Sequence, residues 1–338
     1  MNRTTLLANV RPRRTTSIAA SALALVVLTA AAAPAAAAPA LRAAVDDGTL
    51  RITGSPGGEQ VALRLSALDR NQLQVDFGDD GSAEFSFDLG TFTGIDVAAG
   101  NGSDTVRIDQ VNGVFTTTES TRIDGGNGPD TLVGGSGAEV FIGGRGDDFV
   151  DGTGGADTAF LGNGDDAFVW DPGDASDVVE GDRGSDTLIF NGAAGAEIMA
   201  ATADGDRVLF TRSPGSIVMD LDAVEVIDVR ALGGIDSVTV NDLRGTDVER
   251  VDVDLAAAIG GSTGDGADDE VVVSGTNGDD AIAADANGAA VEVSGLAAFV
   301  RITHAEPGSD TLIVDTLDGD DDVAVDPALA ALIQVSVK

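Results

Sequence analysis

Residues 125–151 read GGNGPDTLVGGSGAEVFIGGRGDDFVD, and this stretch decides the fold because its pattern recurs in consecutive nonapeptides. Each unit opens with a glycine pair, and a third glycine follows two places later. An acidic residue holds the sixth place and an apolar residue holds the eighth. Self-similarity at a short fixed period predicts a solenoid, in which each repeat packs on its neighbours. The residues in the sixth and eighth places are Asp130, Glu139 and Asp148, and Leu132, Phe141 and Val150.

The nonapeptide frame continues unbroken to Val169, is lengthened around WDPGD and then resumes. The residues after each acid predict a short strand, and the glycine-rich residues before it predict a turn, because glycine adopts backbone angles that a Cβ forbids. Two units then form one coil, so each turn stacks on the turn two units later. The later acids in the same place are Asp157, Asp166, Asp177 and Asp186.

This spacing predicts rows of carboxylates on the two edges of the coils. Asp130, Asp148 and Asp166 stack on one edge, and Glu139 and Asp157 stack on the other. Carboxylates about 5 Å apart repel each other unless a cation lies between them. Backbone carbonyls of the turns face the same gap, so every donor is an oxygen. Such a site suits Ca²⁺, which takes roughly 6–8 oxygen ligands.

The units GGNGPDTLV and GGRGDDFVD resemble the GGxGxDxUx nonapeptide of the haemolysin-type, or RTX, calcium-binding family of secreted bacterial repeat proteins. The resemblance implies a parallel β-roll that binds Ca²⁺. It also implies which residues serve as ligands. The side-chain ligands would be Asp130, Asp148, Asp157 and Asp166, with Glu139, Asp177 and Asp186 in equivalent places, and the backbone carbonyls would be those of Gly125, Asn127, Gly143 and Arg145.

Some units depart from the family pattern. Glu139 replaces an aspartate, Thr153 and Leu161 replace glycines of the turn, and Pro172 interrupts the frame. We therefore expect the row that contains Asp148 to bind Ca²⁺ well and the opposite row to bind it less evenly. A disordered acidic linker is the alternative, but each unit keeps an apolar residue in its eighth place, which disordered segments lack.

Outside the regular frame, alternating runs such as VEVIDVRA and VERVDVDL predict half-buried strands. Several of them follow a glycine turn and an acid, as at Asp104, Asp236, Asp280 and Asp310. The predicted fold class is all-β, a parallel β-roll or β-solenoid with less regular β-solenoid segments on both sides. The predicted segments are a signal peptide (1–40), an irregular β segment (41–120), the calcium-binding β-roll (121–190) and an irregular solenoid extension (191–338).

The N-terminal segment 1–40 carries four arginines and no acid, and it contains the apolar run IAASALALVVLTAAAA and then the small-residue segment APA. This order is typical of a secretory signal peptide, and a membrane anchor is the alternative. We expect the mature chain to have no membrane span and to be extracellular, with cell-surface or matrix components as partners. Removal of the four arginines takes the formal net charge from −38 to −42.

That charge excludes nucleic acid as a natural partner, because a nucleic-acid binder presents a basic surface. We expect no enzymatic activity. The alternative is a β-helix enzyme that acts on polysaccharides, for which His304 is the single imidazole. A sugar cleft would also favour aromatic platforms, yet the chain has no Tyr and one Trp, Trp170, which we expect to pack at the frame break.

Overall fold

The computed structural model describes residues 41–338, which form two long β-sheets and the short 3-10 helices Leu89–Thr91 and Pro327–Ala331. The predicted signal peptide lies outside the described residues. Within 41–338, no helix has the length and apolar character needed to cross a membrane. The all-β prediction is confirmed.

The strands are short, and each coil contributes one strand to each sheet in the central part of the chain. In chain order they are β1 (Arg42–Asp46), β2 (Thr49–Thr53), β3 (Gln60–Leu65), β4 (Gln72–Phe77), β5 (Phe85–Asp88), β6 (Gly94–Asn101), β7 (Thr105–Asp109), β8 (Ser120–Asn127), β9 (Thr131–Val133), β10 (Glu139–Arg145), β11 (Phe149–Asp151), β12 (Thr158–Asn163), β13 (Ala167–Trp170), β14 (Val178–Arg183), β15 (Thr187–Asn191), β16 (Ile198–Asp204), β17 (Arg207–Ser213), β18 (Ile217–Asp222), β19 (Val226–Arg230), β20 (Ser237–Val240), β21 (Arg250–Asp254), β22 (Glu270–Ser274), β23 (Ala281–Asn287), β24 (Ala290–Ser294), β25 (Phe299–Thr303), β26 (Thr311–Asp315), β27 (Asp322–Val325) and β28 (Gln334–Val337).

Each sheet contains 14 strands. Sheet A has the order β1-β2-β6-β8-β10-β12-β14-β18-β17-β16-β20-β22-β26-β28. Sheet B has the order β27-β23-β24-β25-β21-β19-β15-β13-β11-β9-β7-β3-β4-β5. Both sheets run through all three of the segments that the sequence predicts between residues 41 and 338.

The central strands pair in parallel with the predicted stagger of two nonapeptides. Phe141 lies opposite Ile123 and Ala159 in sheet A, and Val150 lies opposite Leu132 and Phe168 in sheet B. Around WDPGD the stagger is longer, since Phe168 lies opposite Leu188. The insertion in the frame therefore lengthens one coil and leaves the stack continuous.

The strands of sheet A are longer than the sequence indicated. β10 continues through the glycine pair Gly143–Gly144 to Arg145, and β8 likewise continues to Asn127. The pairing of Gly144 with Gly126 and Gly162 shows why, because the glycines take part in the parallel ladder between coils. The turn that precedes each central strand of sheet B is correspondingly short.

The core lies between the two sheets and is filled by alternate residues of the strands. Leu132, Phe141, Val150 and Phe168, the eighth-place residues of four units, are all fully buried. Trp170 is also buried, and its ring stacks on Phe190 with centroids 4.2 Å apart. Trp170 thus packs at the frame break, as expected.

The flanking segments differ from the central coils by antiparallel hairpins. β16, β17 and β18 form one such excursion in sheet A, and β23, β24 and β25 form another in sheet B. In sheet B, β3, β4 and β5 form a third. Parallel pairing accompanies each excursion, so coils of unequal length still stack.

Candidate metal centre

Five aspartates form a continuous row, here called the main ladder, along the edge where the chain enters sheet B. Each is at most 2% exposed, and each lies directly before a strand of that sheet. The backbone N–H of each of the first four donates to the carboxylate of the next coil, with N···O distances of 2.6–2.9 Å. The members of the main ladder are Asp104, Asp130, Asp148, Asp166 and Asp186.

A second row, the short ladder, lies on the opposite edge, where the chain enters sheet A. It contains Glu139, Asp157 and Asp177, all buried. The N–H of Glu139 donates to Asp157 Oδ1 at 2.7 Å, and the N–H of Asp157 donates to Asp177 Oδ1 at 2.8 Å. All seven predicted carboxylates therefore lie in two rows, and the five that the spacing assigned to opposite edges lie on those edges.

One oxygen of nearly every ladder carboxylate has no hydrogen-bond donor. In the described chain, these atoms are buried and unpartnered, although a buried polar atom is normally hydrogen-bonded. A buried carboxylate oxygen without a donor or a cation is costly. The unpartnered ladder atoms are Oδ2 of Asp104, Asp130, Asp148, Asp157, Asp166 and Asp186, and Oε1 of Glu139.

Glycines keep the space beside these oxygens open. A Cβ placed on Gly125 would lie 2.5 Å from Asp130 Oδ2 and 2.9 Å from the carbonyl oxygen of Gly143. On Gly143 it would contact the carbonyl oxygen of Leu161 and lie 2.6 Å from Asp148 Oδ2. Each space is thus bordered by an unpartnered carboxylate oxygen and a carbonyl of the next coil.

The carbonyls of Asn127 and Arg145 also lie between coils. They accept hydrogen bonds from the N–H groups of Gly102 at 2.8 Å and Gly128 at 2.6 Å, respectively. A carbonyl oxygen has a second lone pair, so these bonds leave one site of each oxygen free for a cation.

Burial raises the pKa values of the ladder carboxyl groups. It raises the pKa of Asp157 to about 8 and the pKa values of Asp148 and Asp177 to about 7. It likewise raises the pKa of Glu139 to about 7. The hydrogen bond from a backbone N–H lowers each pKa by a smaller amount, and carboxylates near the aspartates raise it further. A cation beside these groups would restore their charged form.

The donors fit a hard cation. Over residues 41–338, no three His, Cys, Asp or Glu side chains converge on one point, and the oxygens that lie beside the ladder carboxylates belong to backbone carbonyls. Oxygen donors of these two kinds suit Ca²⁺ and offer nothing to metals that prefer nitrogen or sulfur. In the main ladder, the glycines of the turns keep open the space beside these donors.

The structure adds residues that the sequence analysis did not assign to the metal site. Asp104 belongs to the main ladder although it precedes the unbroken nonapeptide frame, and its turn AGNGSD carries the recognisable pattern. Glu225 accepts from the N–H of Asp186 at 2.7 Å and closes the ladder at its other end. Glu225 lies in VEVIDV without a glycine turn, so the sequence contains no signal for it.

His304 lies outside both ladders. Its Nδ1 is 2.6 Å from Asp254 Oδ1, and it has a φ of 60°. Together with Arg301 and Glu306 it lines an open pocket of about 450 Å³. None of these side chains contacts a carboxylate of the main or short ladder, and the imidazole is therefore separate from the candidate metal centre.

A parallel β-roll whose coils carry stacked carboxylates and glycine turns defines a class of calcium-binding repeat. The family profile of the RTX calcium-binding nonapeptide repeat matches residues 115–150, 133–168 and 172–208. The coils of this region are therefore similar to the RTX calcium-binding nonapeptide repeat, and RTX nonapeptide repeats bind Ca²⁺. No curated protein matches the chain.

Proposed function

We propose that this protein is a secreted calcium-binding β-roll that folds when it binds Ca²⁺ and then serves as a rigid extracellular module. The two carboxylate ladders and the turn carbonyls of Gly125, Asn127, Gly143 and Arg145 hold the ions. The formed solenoid contacts other components of the cell surface or matrix. Its role is structural and non-enzymatic.

The observation that supports this proposal most strongly is the row of buried carboxylate oxygens without donors. Neighbouring coils cannot bring ionised carboxylates together in a dry interior unless positive charge accompanies them. Protonation removes the charge only at acidic or neutral pH. Bound Ca²⁺ would neutralise the rows and link adjacent turns at the same time.

The charge of the whole chain acts in the same direction. With −42 on the mature chain, self-repulsion opposes the compact state. A cation that binds the folded form and not the unfolded form shifts the equilibrium towards folding, so that binding energy becomes folding energy. Export through the predicted signal peptide delays folding until the chain reaches calcium outside the cell.

Circular dichroism of the metal-free mature chain tests the proposal. Addition of Ca²⁺ should raise the β signal cooperatively, because each coil stabilises its neighbours, and chelation should reverse the change. A chain that is equally ordered with and without Ca²⁺, and that binds none in equilibrium dialysis, would contradict the proposal.

Two variants refine the same titration. Asp148→Ala should raise the Ca²⁺ midpoint more than Glu139→Ala, because Asp148 has ladder neighbours on both sides. Glu139 begins the short ladder, and its Oε2 already accepts from the N–H of Gly135 at 2.9 Å. Asp206→Ala, in the exposed hairpin turn between β16 and β17, removes the same charge away from both ladders and should leave the midpoint unchanged.

The enzymatic alternative has its own assay. The calcium-loaded protein is incubated with acidic polysaccharides, and unsaturated or reducing ends are measured. We expect no release above that of a heat-denatured sample. Release that disappears with His304→Ala would instead assign a catalytic role to the His304–Asp254 pair.

A further inference from the structure

A third row of carboxylates lies beyond the regular repeat, before the C-terminal strands of sheet A. This C-terminal ladder contains Glu197, Asp236, Asp269 and Asp310, all at most 4% exposed. The N–H of Glu197 donates to Asp236 Oδ1 at 2.8 Å, and the N–H of Asp236 donates to Asp269 Oδ1 at 2.8 Å. Only Glu197 falls within the residues that match the RTX profile.

The two ends of the C-terminal ladder are satisfied by the protein itself. Glu197 pairs with the guanidinium of Arg212, and its Oε2 accepts from the N–H of Ala193 at 2.8 Å. At the other end, the two oxygens of Asp310 accept from the N–H groups of Asp269 at 3.2 Å and Glu306 at 2.7 Å. The guanidinium of Arg212 thus neutralises the Glu197 end of the ladder, and backbone N–H donors satisfy the Asp310 end.

Asp236, in the interior of this row, has no such compensation. It is 2% exposed, and within the described chain its Oδ2 is buried without a hydrogen-bond donor. Asp269 and Asp265 add negative charge beside it, and Asp265 Oδ2 accepts from the N–H of Gly234 at 2.7 Å. Asp236 therefore shares with the main-ladder aspartates a buried carboxylate oxygen without a donor, although successive acids are farther apart in sequence here.

We propose that Asp236 and Asp269, with backbone carbonyls of their turns, form a further Ca²⁺ site outside the nonapeptide repeat. This inference rests on the proposed function, because it extends calcium binding to the coils of residues 231–274. The larger number of residues between successive acids does not keep these acids apart. Parallel pairing of β16, β20 and β22 brings the acids together in the same way as the regular coils do.

One residue distinguishes this site from those of the main ladder. Ala231 holds the place, five positions before the acid, that Gly125 and Gly143 hold in the nonapeptides. An alanine adds a methyl group where those turns have none. We therefore expect the Asp236 site to be weaker and to fill after the sites of the main ladder.

Calcium stoichiometry of the full mature chain tests this site. Inductively coupled plasma mass spectrometry after equilibrium dialysis against saturating Ca²⁺ counts the bound ions. Asp236→Asn should lose one equivalent relative to wild type, with circular dichroism unchanged at saturating Ca²⁺. Asp268→Asn, an exposed acid in the turn of Asp269, removes the same charge and should lose none.

Asp148→Asn separates failure of this site from failure of the proposed function. If Asp148→Asn loses calcium and Asp236→Asn does not, the C-terminal site is wrong and the main ladder stands. If wild type binds no calcium, both proposals fail. Crystals grown in Ca²⁺ give an answer that is independent of variant folding, because an anomalous peak beside Asp236 Oδ2 supports the site and its absence overturns it.

Discussion

Gly143 shows how one residue serves both the fold and the site. It lies in β10, where a Cβ would contact the Leu161 carbonyl oxygen and approach Asp148 Oδ2. Its φ lies outside the left-handed region, so the requirement for glycine here is one of space. The space that the missing side chain leaves is the space beside the unpartnered carboxylate oxygen. Glycine in the first place of the nonapeptide is therefore part of the metal centre.

Gly143→Ala should weaken the calcium response at the residue scale. The methyl group must displace a carbonyl or a carboxylate, at a cost of about 1–3 kcal/mol in the free energy of unfolding. It also occupies the gap where an ion would lie. We expect a Ca²⁺ midpoint raised by at least about tenfold, a factor equivalent to about 1.4 kcal/mol, measured by circular dichroism.

Gly154→Ala is the matched control for this substitution. Gly154 also belongs to a nonapeptide turn, but the nearest atom to an added Cβ is 3.8 Å away. Its free energy of unfolding should change by less than about 0.5 kcal/mol. Equal effects of the two substitutions would show that the gap beside Asp148 has no special role.

At the scale of the ladder, each carboxylate of the main ladder has two distinct functions. One oxygen accepts the backbone N–H of the neighbouring coil, as Asp166 Oδ1 accepts from Asp148 at 2.6 Å. The second oxygen is buried without a donor and remains available to a cation. The hydrogen bonds set the alignment of the turns even without metal, whereas the second oxygens make that alignment unfavourable at high pH.

The metal-free protein should therefore be more stable at about pH 5 than at about pH 8.5. Burial raises the folded-state pKa values of Asp148 and Asp186 to about 7 and that of Asp157 to about 8, above about 3.9 in the unfolded chain. The folded state thus binds more protons. The stabilisation is fully present below the unfolded pKa and is lost as the pH rises through the folded-state values. The β signal of the metal-free chain in circular dichroism, followed across this pH range, measures the change.

Saturating Ca²⁺ should reverse or remove this pH dependence, because the ion replaces the protons and binds the ionised carboxylates more tightly. The combined variant Asp148→Asn/Asp157→Asn should flatten the metal-free profile, since the amides do not titrate. A metal-free protein whose stability rises over the same pH range would contradict the assignment of these groups as buried and uncompensated.

At the scale of the whole molecule, buried carboxylates are compensated in different ways along one continuous pair of sheets. Near the N-terminal end, fully buried Asp76 pairs with Arg64 and accepts from the N–H of Gly81 at 2.8 Å. In the hairpin excursion of sheet A, Arg212 pairs with Glu197 and its Cζ lies 5.1 Å from the ring centroid of Trp170. Among the described residues, no arginine pairs in this way with a carboxylate of the main or short ladder.

Removal of calcium should consequently loosen the centre of the molecule more than its N-terminal end. In hydrogen-exchange mass spectrometry, chelation should increase exchange most in peptides from residues 121–190. Peptides from β2, β3 and β4 should change least, because arginine already neutralises their buried acid. A uniform increase along residues 41–338 would contradict this prediction.

The sequence by itself determined the repeat, the parallel coils, the two rows of acids and the oxygen-only chemistry of residues 125–186. It could do so because a short period fixes which side chains recur at one place, and glycine, aspartate and a buried apolar residue are each required there for a separate physical reason. Packing of Trp170 at the frame break was also predicted from the sequence, because a large apolar side chain beside an interrupted turn favours burial over ligand stacking.

Only the tertiary structure decided which distant residues complete the rows. Glu225 closes the main ladder without any glycine turn, and Arg212 reaches Glu197 because the antiparallel β16–β17 hairpin folds the chain back on itself. Asp236 joins Asp269 across an irregular coil. Coil length varies in these segments, so the number of residues between two acids does not predict whether they are neighbours in space. The hydrogen-bonded register of the sheets alone determines which carboxylates lie side by side.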